Sequence, residues 1–80
     1  MNIREFIRLS ENIPESAVDV AIDEYVKGLH SRRNRIMLKE KLFENMTYEK
    51  IAEKHDMSVR QVKNIISDSA QQIVNHLGIE

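Results

Sequence analysis

Apolar residues recur along this chain at intervals of three and four, the spacing that lines them up on one face of a helix. The first run is short: Ile3, Phe6, Ile7 and Leu9 share one side of a segment broken by "SENIPES". A helix of that length is marginal alone and must dock or fray. Pro14 fits the first turn of the next helix, where its missing N–H costs nothing, and Glu15 adds a negative charge at the same positive helix end. Val18, Ala21, Ile22, Tyr25, Val26 and Leu29 then keep one rhythm of i, i+3, i+4, i+7. Lys27 and Gly28 form a stop signal, a cation in the last turn followed by a residue free to take φ > 0. "HSRRNRIMLKEKLF" starts a third helix with Ser31 as its N-cap. Met37, Leu38 and Leu42 face inward, with Ile36 and Phe43 as further apolar candidates. Asn45 marks the next break, because asparagine tolerates a left-handed turn best after glycine.

The stretch "TYEKIAEKHDMSVRQVKN", Thr47 to Asn64, holds two helix starts in eighteen residues. Thr47 caps the first by accepting an N–H bond from its opening turn. Ile51 and Ala52 face the core. About two turns later "HDM" ends that helix, with Asp56 able to enter a left-handed turn. Ser58 caps the second helix, and Gln61 completes a capping box, S-x-x-Q. Val62, Ile65, Ile66, Ile73, Val74 and Leu77 carry an apolar face well past the motif, so the last helix runs roughly from 58 to 77, ~30 Å. A small alanine at 52 permits close approach of the second helix, Met57 plugs the space beneath the turn, and Val62 and Ile65 anchor the helix from below. Those residue types at those intervals are what a helix-turn-helix needs.

Composition narrows the fold class. Two glycines, one proline and 31% charged residues lack the turn punctuation of a strand-rich chain. The expectation is an all-α bundle of four to five helices containing a helix-turn-helix, in one domain of 80 residues. Its acidic helices over 1–29 form a docking or dimer surface, and 30–77 holds the helix-turn-helix and the long last helix. There is no cysteine, hence no disulfide framework and no thiolate metal site. The opening "MNIREFIRLSENIP" has no apolar run of signal-peptide or membrane-span length, so the chain reads as cytoplasmic with no membrane partner. Net charge is −1, but residues 1–29 carry −3, residues 30–66 carry +4, and residues 67–80 carry −2. Positive charge therefore sits on the segment that contains the helix-turn-helix, and a local patch matters more to a phosphate backbone than the global sum.

"RIMLKEKLFENMTYEKIAEKHDMSVRQVKNII", Arg35 to Ile66, resembles region 4 of bacterial sigma factors: a basic helix, a leucine or aromatic residue, a turn, "T-Y-E-E-I-A-E", a second turn and "S-x-x-x-V-K-x-I". The likeness covers about forty per cent of the chain. The whole is similar to small sigma-like regulators of phages and mobile elements. Asn45 and Asp56 stand where the family has turn glycines, and no region 2 is present, so promoter melting is not implied. The resemblance implies DNA binding, and contact with the flap of the RNA polymerase β subunit.

In a helix-turn-helix the second helix enters the major groove. Val59, Arg60, Gln61, Lys63, Asn64 and Ser67 are left to face outward. Arg60 suits guanine, Gln61 or Asn64 suits adenine, and Val59 suits a thymine methyl; these four are the base-contact candidates. Thr47, Tyr48 and Ser58 at helix starts, with Lys63 and Ser67, are phosphate-contact candidates. Arg32, Arg33 and Arg35, with Lys39 as a weaker one, flank the duplex and add affinity without sequence information. Each has a plainer use: Thr47 and Ser58 are caps, Gln61 serves the capping box, and Arg60 and Lys63 are solvated charges.

No catalytic residue set emerges. His30, His55 and His76 have no ligand spacing among them, and there is no Gly-rich phosphate loop or nucleophile elbow. The expectation is no enzyme, no metal and no cofactor. The first functional reading is a sequence-specific transcriptional regulator of double-stranded DNA, completed by a homodimer partner or RNA polymerase because one module reads few base pairs. A second is a protein-interaction module, for example RNA polymerase-binding, that keeps the fold without specific DNA binding; the low pI favours it. A third is a packaging or recombination accessory with non-specific binding.

Overall fold

The computed structural model describes residues 1–78, and every described element is a helix. Five helices follow in order: α1 Ile3–Ser10, α2 Glu15–Tyr25, α3 Ser31–Leu42, α4 Tyr48–His55 and α5 Val59–Leu77. The chain is an all-helical bundle in which α5 packs against each of the other four. The reason lies in the stripe of α5: Val62, Ile66, Ala70, Ile73 and Val74 are all buried, at the intervals that keep one helix face inward over about three and a half turns. Phe6 of α1, Ile22 of α2, Met37 and Leu38 of α3, and Ile51 of α4 complete that core. Phe6 is the side chain that docks the short first helix, and Asn2 caps it by accepting from the Glu5 N–H at 2.8 Å.

The turns follow backbone chemistry. Asn45 and Asp56 are the two non-glycine residues with positive φ among those described, at 53° and 54°. After α4 the Met57 N–H reaches the Ala52 carbonyl at 2.9 Å and the Asp56 N–H reaches that of Glu53 at 3.3 Å. This paired closure is the Schellman motif, with aspartate where glycine is commonest. The Thr47 and Ser58 side chains cap α4 and α5.

Several helix ends differ from the sequence expectation. Pro14 is the N-cap of α2 rather than a residue of its first turn, and its carbonyl accepts from Ala17 and Val18. The helix ends at Tyr25, before Lys27 and Gly28. There the Lys27 N–H bonds the Gln72 side chain at 2.9 Å, and the Arg35 Nε donates to the Val26 carbonyl at 2.9 Å. Those two long-range bonds take over backbone groups a longer helix would have used, so the apolar rhythm stops at Val26. Leu29, expected on that face, is 93% exposed. Gly28 still serves a turn, at φ 116°, but in the connection rather than at the helix end. Ser31 is the first residue of α3, and the N-cap position belongs to His30, which makes no side-chain cap. Ile7, Ile36 and Leu77 are exposed over a little less than half of their surface, while Leu42, Phe43, Met57 and Ile65 pack partly buried against the core. No described helix is long and apolar enough to cross a membrane.

Candidate functional site

The exposed end of α5 is held from within. The Ser58 hydroxyl accepts from the Gln61 N–H at 3.1 Å, and the Gln61 Oε1 accepts from the Ser58 N–H at 3.0 Å. Val62 locks the next turn into the core. From this fixed turn Arg60, Lys63 and Asn64 project into solvent. Gln61 is exposed as well, but its carbonyl oxygen is engaged in the cap. Among the described residues, Asn64 makes no side-chain hydrogen bond and keeps both amide atoms available. Val59, expected outward, is half-buried against the core, so only part of its side chain is presented.

The remaining candidates separate into two groups and a few structural residues. Tyr48, Lys63, Asn64 and Ser67 line one open groove, together with Arg4 of α1 and Lys41 of α3. Arg32 and Arg33 line a different depression, beside Leu29, Ile36 and His55. Arg33 spends two nitrogens on the Asn34 side chain. Arg35 is committed to the end of α2, as described. Lys39 pairs with Asp19 at 3.1 Å and Asp23 at 2.8 Å, tying α3 to α2. The hydrogen bond it donates to Asp23 and then that to Asp19, against a desolvation cost between them, raise its pKa above the ordinary value. Thr47 is exposed, with its oxygen on the Lys50 N–H at 3.2 Å. Ser67 donates to the carbonyl of Met1, so it fastens the start of the chain to α5.

Tyr48 organises the groove. The Lys41 ammonium lies 4.4 Å from its ring centroid and that of Lys63 lies 5.4 Å away. A cation is drawn to an aromatic face by the ring quadrupole. Here two cations from α3 and α5 share one ring. Burial pushes the Tyr48 phenol pKa above its ordinary value.

A second charged cluster lies beneath α4. Glu40 of α3 is buried, 1% exposed. Its Oε2 accepts from Lys54 at 2.5 Å and its Oε1 meets His55 Nε2 at 2.7 Å. Burial pushes this carboxyl up, but the hydrogen bonds from Lys54 and His55 outweigh it and hold the group below its ordinary value. Glu40 in turn raises Lys54. Sequence reasoning missed Glu40, Lys41 and Arg4. Glu40 was detectable as a lone acid inside a strongly basic helix, three residues after the core position Met37 and so on the same helix face. Arg4 carried no signal, because its role depends on where α1 docks. His55 is half-buried, its side chain 15% exposed. No protein-family model, curated protein or solved structure matches this chain.

Proposed function

We propose that this protein is a double-stranded DNA-binding transcriptional regulator that sets the N-terminal half of α5 in the major groove. The observation that carries the reading is the capped, core-anchored start of α5, from which Arg60, Gln61, Lys63 and Asn64 face solvent on consecutive turns. Arg60 reads a guanine and Asn64 an adenine. Gln61 is the weaker base reader, because its Oε1 already serves the cap. The likeness of Arg35–Ile66 to sigma region 4 supports the same orientation and a cytoplasmic site of action. Selection of bound duplexes from a random pool tests it. A single short site points to recruitment of RNA polymerase, a gapped palindrome to a dimer, and no enriched sequence with salt-insensitive binding sinks the proposal. Arg60→Ala is expected to cost about 1–3 kcal/mol at one base position and to leave the others unchanged.

A protein-docking reading has its own support. Leu29 is 93% exposed beside the 43% exposed Ile36, flanked by Arg32 and Arg33. This patch suits an acidic, apolar partner surface, and on the DNA-binding reading it is where a polymerase subunit would bind. Leu29→Asp leaves duplex binding intact and abolishes that association.

A further inference from the structure

The geometry points to the groove between α1, α3 and α5 as the track for one DNA strand, with Arg4, Lys41 and Lys63 holding consecutive phosphates. This rests on the DNA-binding reading above and extends it to residues outside the helix-turn-helix. Three cations from three helices converge on the groove, and among the described residues none of those lining it is acidic. Among the described residues, none of the three has a carboxylate at ion-pair distance, whereas Lys39 and Lys54 elsewhere do. Lys41 and Lys63 instead share the Tyr48 ring. Two ammonium groups on one ring repel each other, and an anion between them relieves that repulsion.

The occupant follows from shape and continuity. The groove opens along the α5 edge that carries Lys63 and Asn64, so a duplex seated on that edge runs into it. Each strand of DNA presents a charge about every 3.4 Å along its axis, a periodic anion that suits cations spread over several helices. The wall on the far side is the start of α1. It is fixed by burial of Phe6 and by the Ser67 hydroxyl on the Met1 carbonyl, which place Arg4 without using its charge. Ser67 is thus a positioning residue, and Arg4 is a backbone contact drawn from an otherwise acidic segment.

The test uses the full chain, a fluorescent duplex recovered by selection, and affinity measured from 50 to 200 mM salt. Arg4→Gln and Lys41→Gln are each expected to flatten the log–log salt slope by about 0.9, and the pair by about 1.8. Each weakens binding to all duplex sequences alike. Arg8→Gln removes the same charge from α1 outside the groove and is expected to leave the slope unchanged. Thermal melts confirm that each variant folds. If the wild type binds with a steep slope but Arg4→Gln and Lys41→Gln behave as Arg8→Gln, the groove proposal is overturned and the DNA reading stands. Loss confined to one base position also overturns it, since it would make these residues base readers. If the wild type binds no duplex, both proposals fall.

Discussion

Lys39 and Lys41 sit two residues apart on α3 and meet opposite surroundings. Lys39 is clamped between Asp19 and Asp23 of α2, while Lys41 meets the Tyr48 ring and the Met46 carbonyl and, among the described residues, no carboxylate. The same contrast holds between Lys54, bound to the buried Glu40, and Lys63, which shares Tyr48. One set of cations is spent on joining helices. The other is left facing an open groove. A net charge of −1 conceals this division, and a count of basic residues does not reveal it. Which cations are available for a partner is decided by where the acids fold.

The largest test of the contrast is at Glu40. Removing one partner of a buried ion pair generally costs 3–5 kcal/mol. Here Lys54 is half-exposed and can return to water, so Glu40→Ala is expected to cost less, about 2–3 kcal/mol including the cavity. Urea unfolding measures it. Glu40→Leu fills the space without a charge and is expected to recover most of the loss. Equal destabilisation by both variants would mean the ion pair itself, rather than filled volume, joins α3 to α4.

The same residue sets an acid dependence. Its folded pKa lies below the ordinary value of 4.5, so its contribution to stability is present above that pH and is lost as acid titrates the folded carboxylate. Melting temperature is expected to fall below about pH 4.5 more steeply in the wild type than in Glu40→Gln. Parallel curves for the two proteins would assign the acid lability to other carboxylates.

The five helices were legible in the pattern of apolar residues, because each must bury one face and the spacing of that face is local. The capping of α4 and α5 was legible for the same reason: Thr47, Ser58 and Gln61 act within one turn. What the pattern could not carry was the end of α2. Its rhythm continues to Leu29, but Gln72 and Arg35 intercept the chain at Lys27 and Val26 from distant positions. The candidate site divides along the same line. The exposure of Arg60, Lys63 and Asn64 follows from helix periodicity. The commitment of Arg35 and Lys39 to structure, and the presence of Arg4 on the groove lined by Tyr48 and Lys63, depend on tertiary packing between separated segments.

A smaller effect is expected at Asp56, which stands in the left-handed region two residues before the α5 cap. Asp56→Gly relieves backbone strain of up to about 1 kcal/mol. It also removes a negative charge near the α5 N-terminus, which is worth ~0.3–1 kcal/mol when exposed. The net change in stability is therefore a gain of about 0.5 kcal/mol or less. Asp56→Asn keeps a tolerant side chain and removes only the charge, so it is expected to lose a few tenths of a kcal/mol, on the order of that same dipole term. Both variants take an acid away from the face proposed to meet phosphate, and both are expected to bind duplex more tightly. If Asp56→Gly gains affinity and Asp56→Asn does not, the backbone rather than the charge governs how α5 is presented.

The smallest stability effect gives the sharpest division between the two sets of cations. Lys39→Gln breaks two partly exposed ion pairs and is expected to cost ~0.2–1 kcal/mol in folding, with no change in the salt dependence of DNA binding. Lys41→Gln is expected to do the reverse: it loses an exposed cation–π contact worth ~0.5–1 kcal/mol at most, offset by less repulsion from Lys63, and it flattens the salt slope. The two substitutions remove identical charges from one helix, so long-range electrostatics alone would make them alike in both measurements. A crossed result, with Lys39 moving stability and Lys41 moving the salt slope, means that a cation's function here is set by its neighbours across the helix interface and not by its place in a basic stretch.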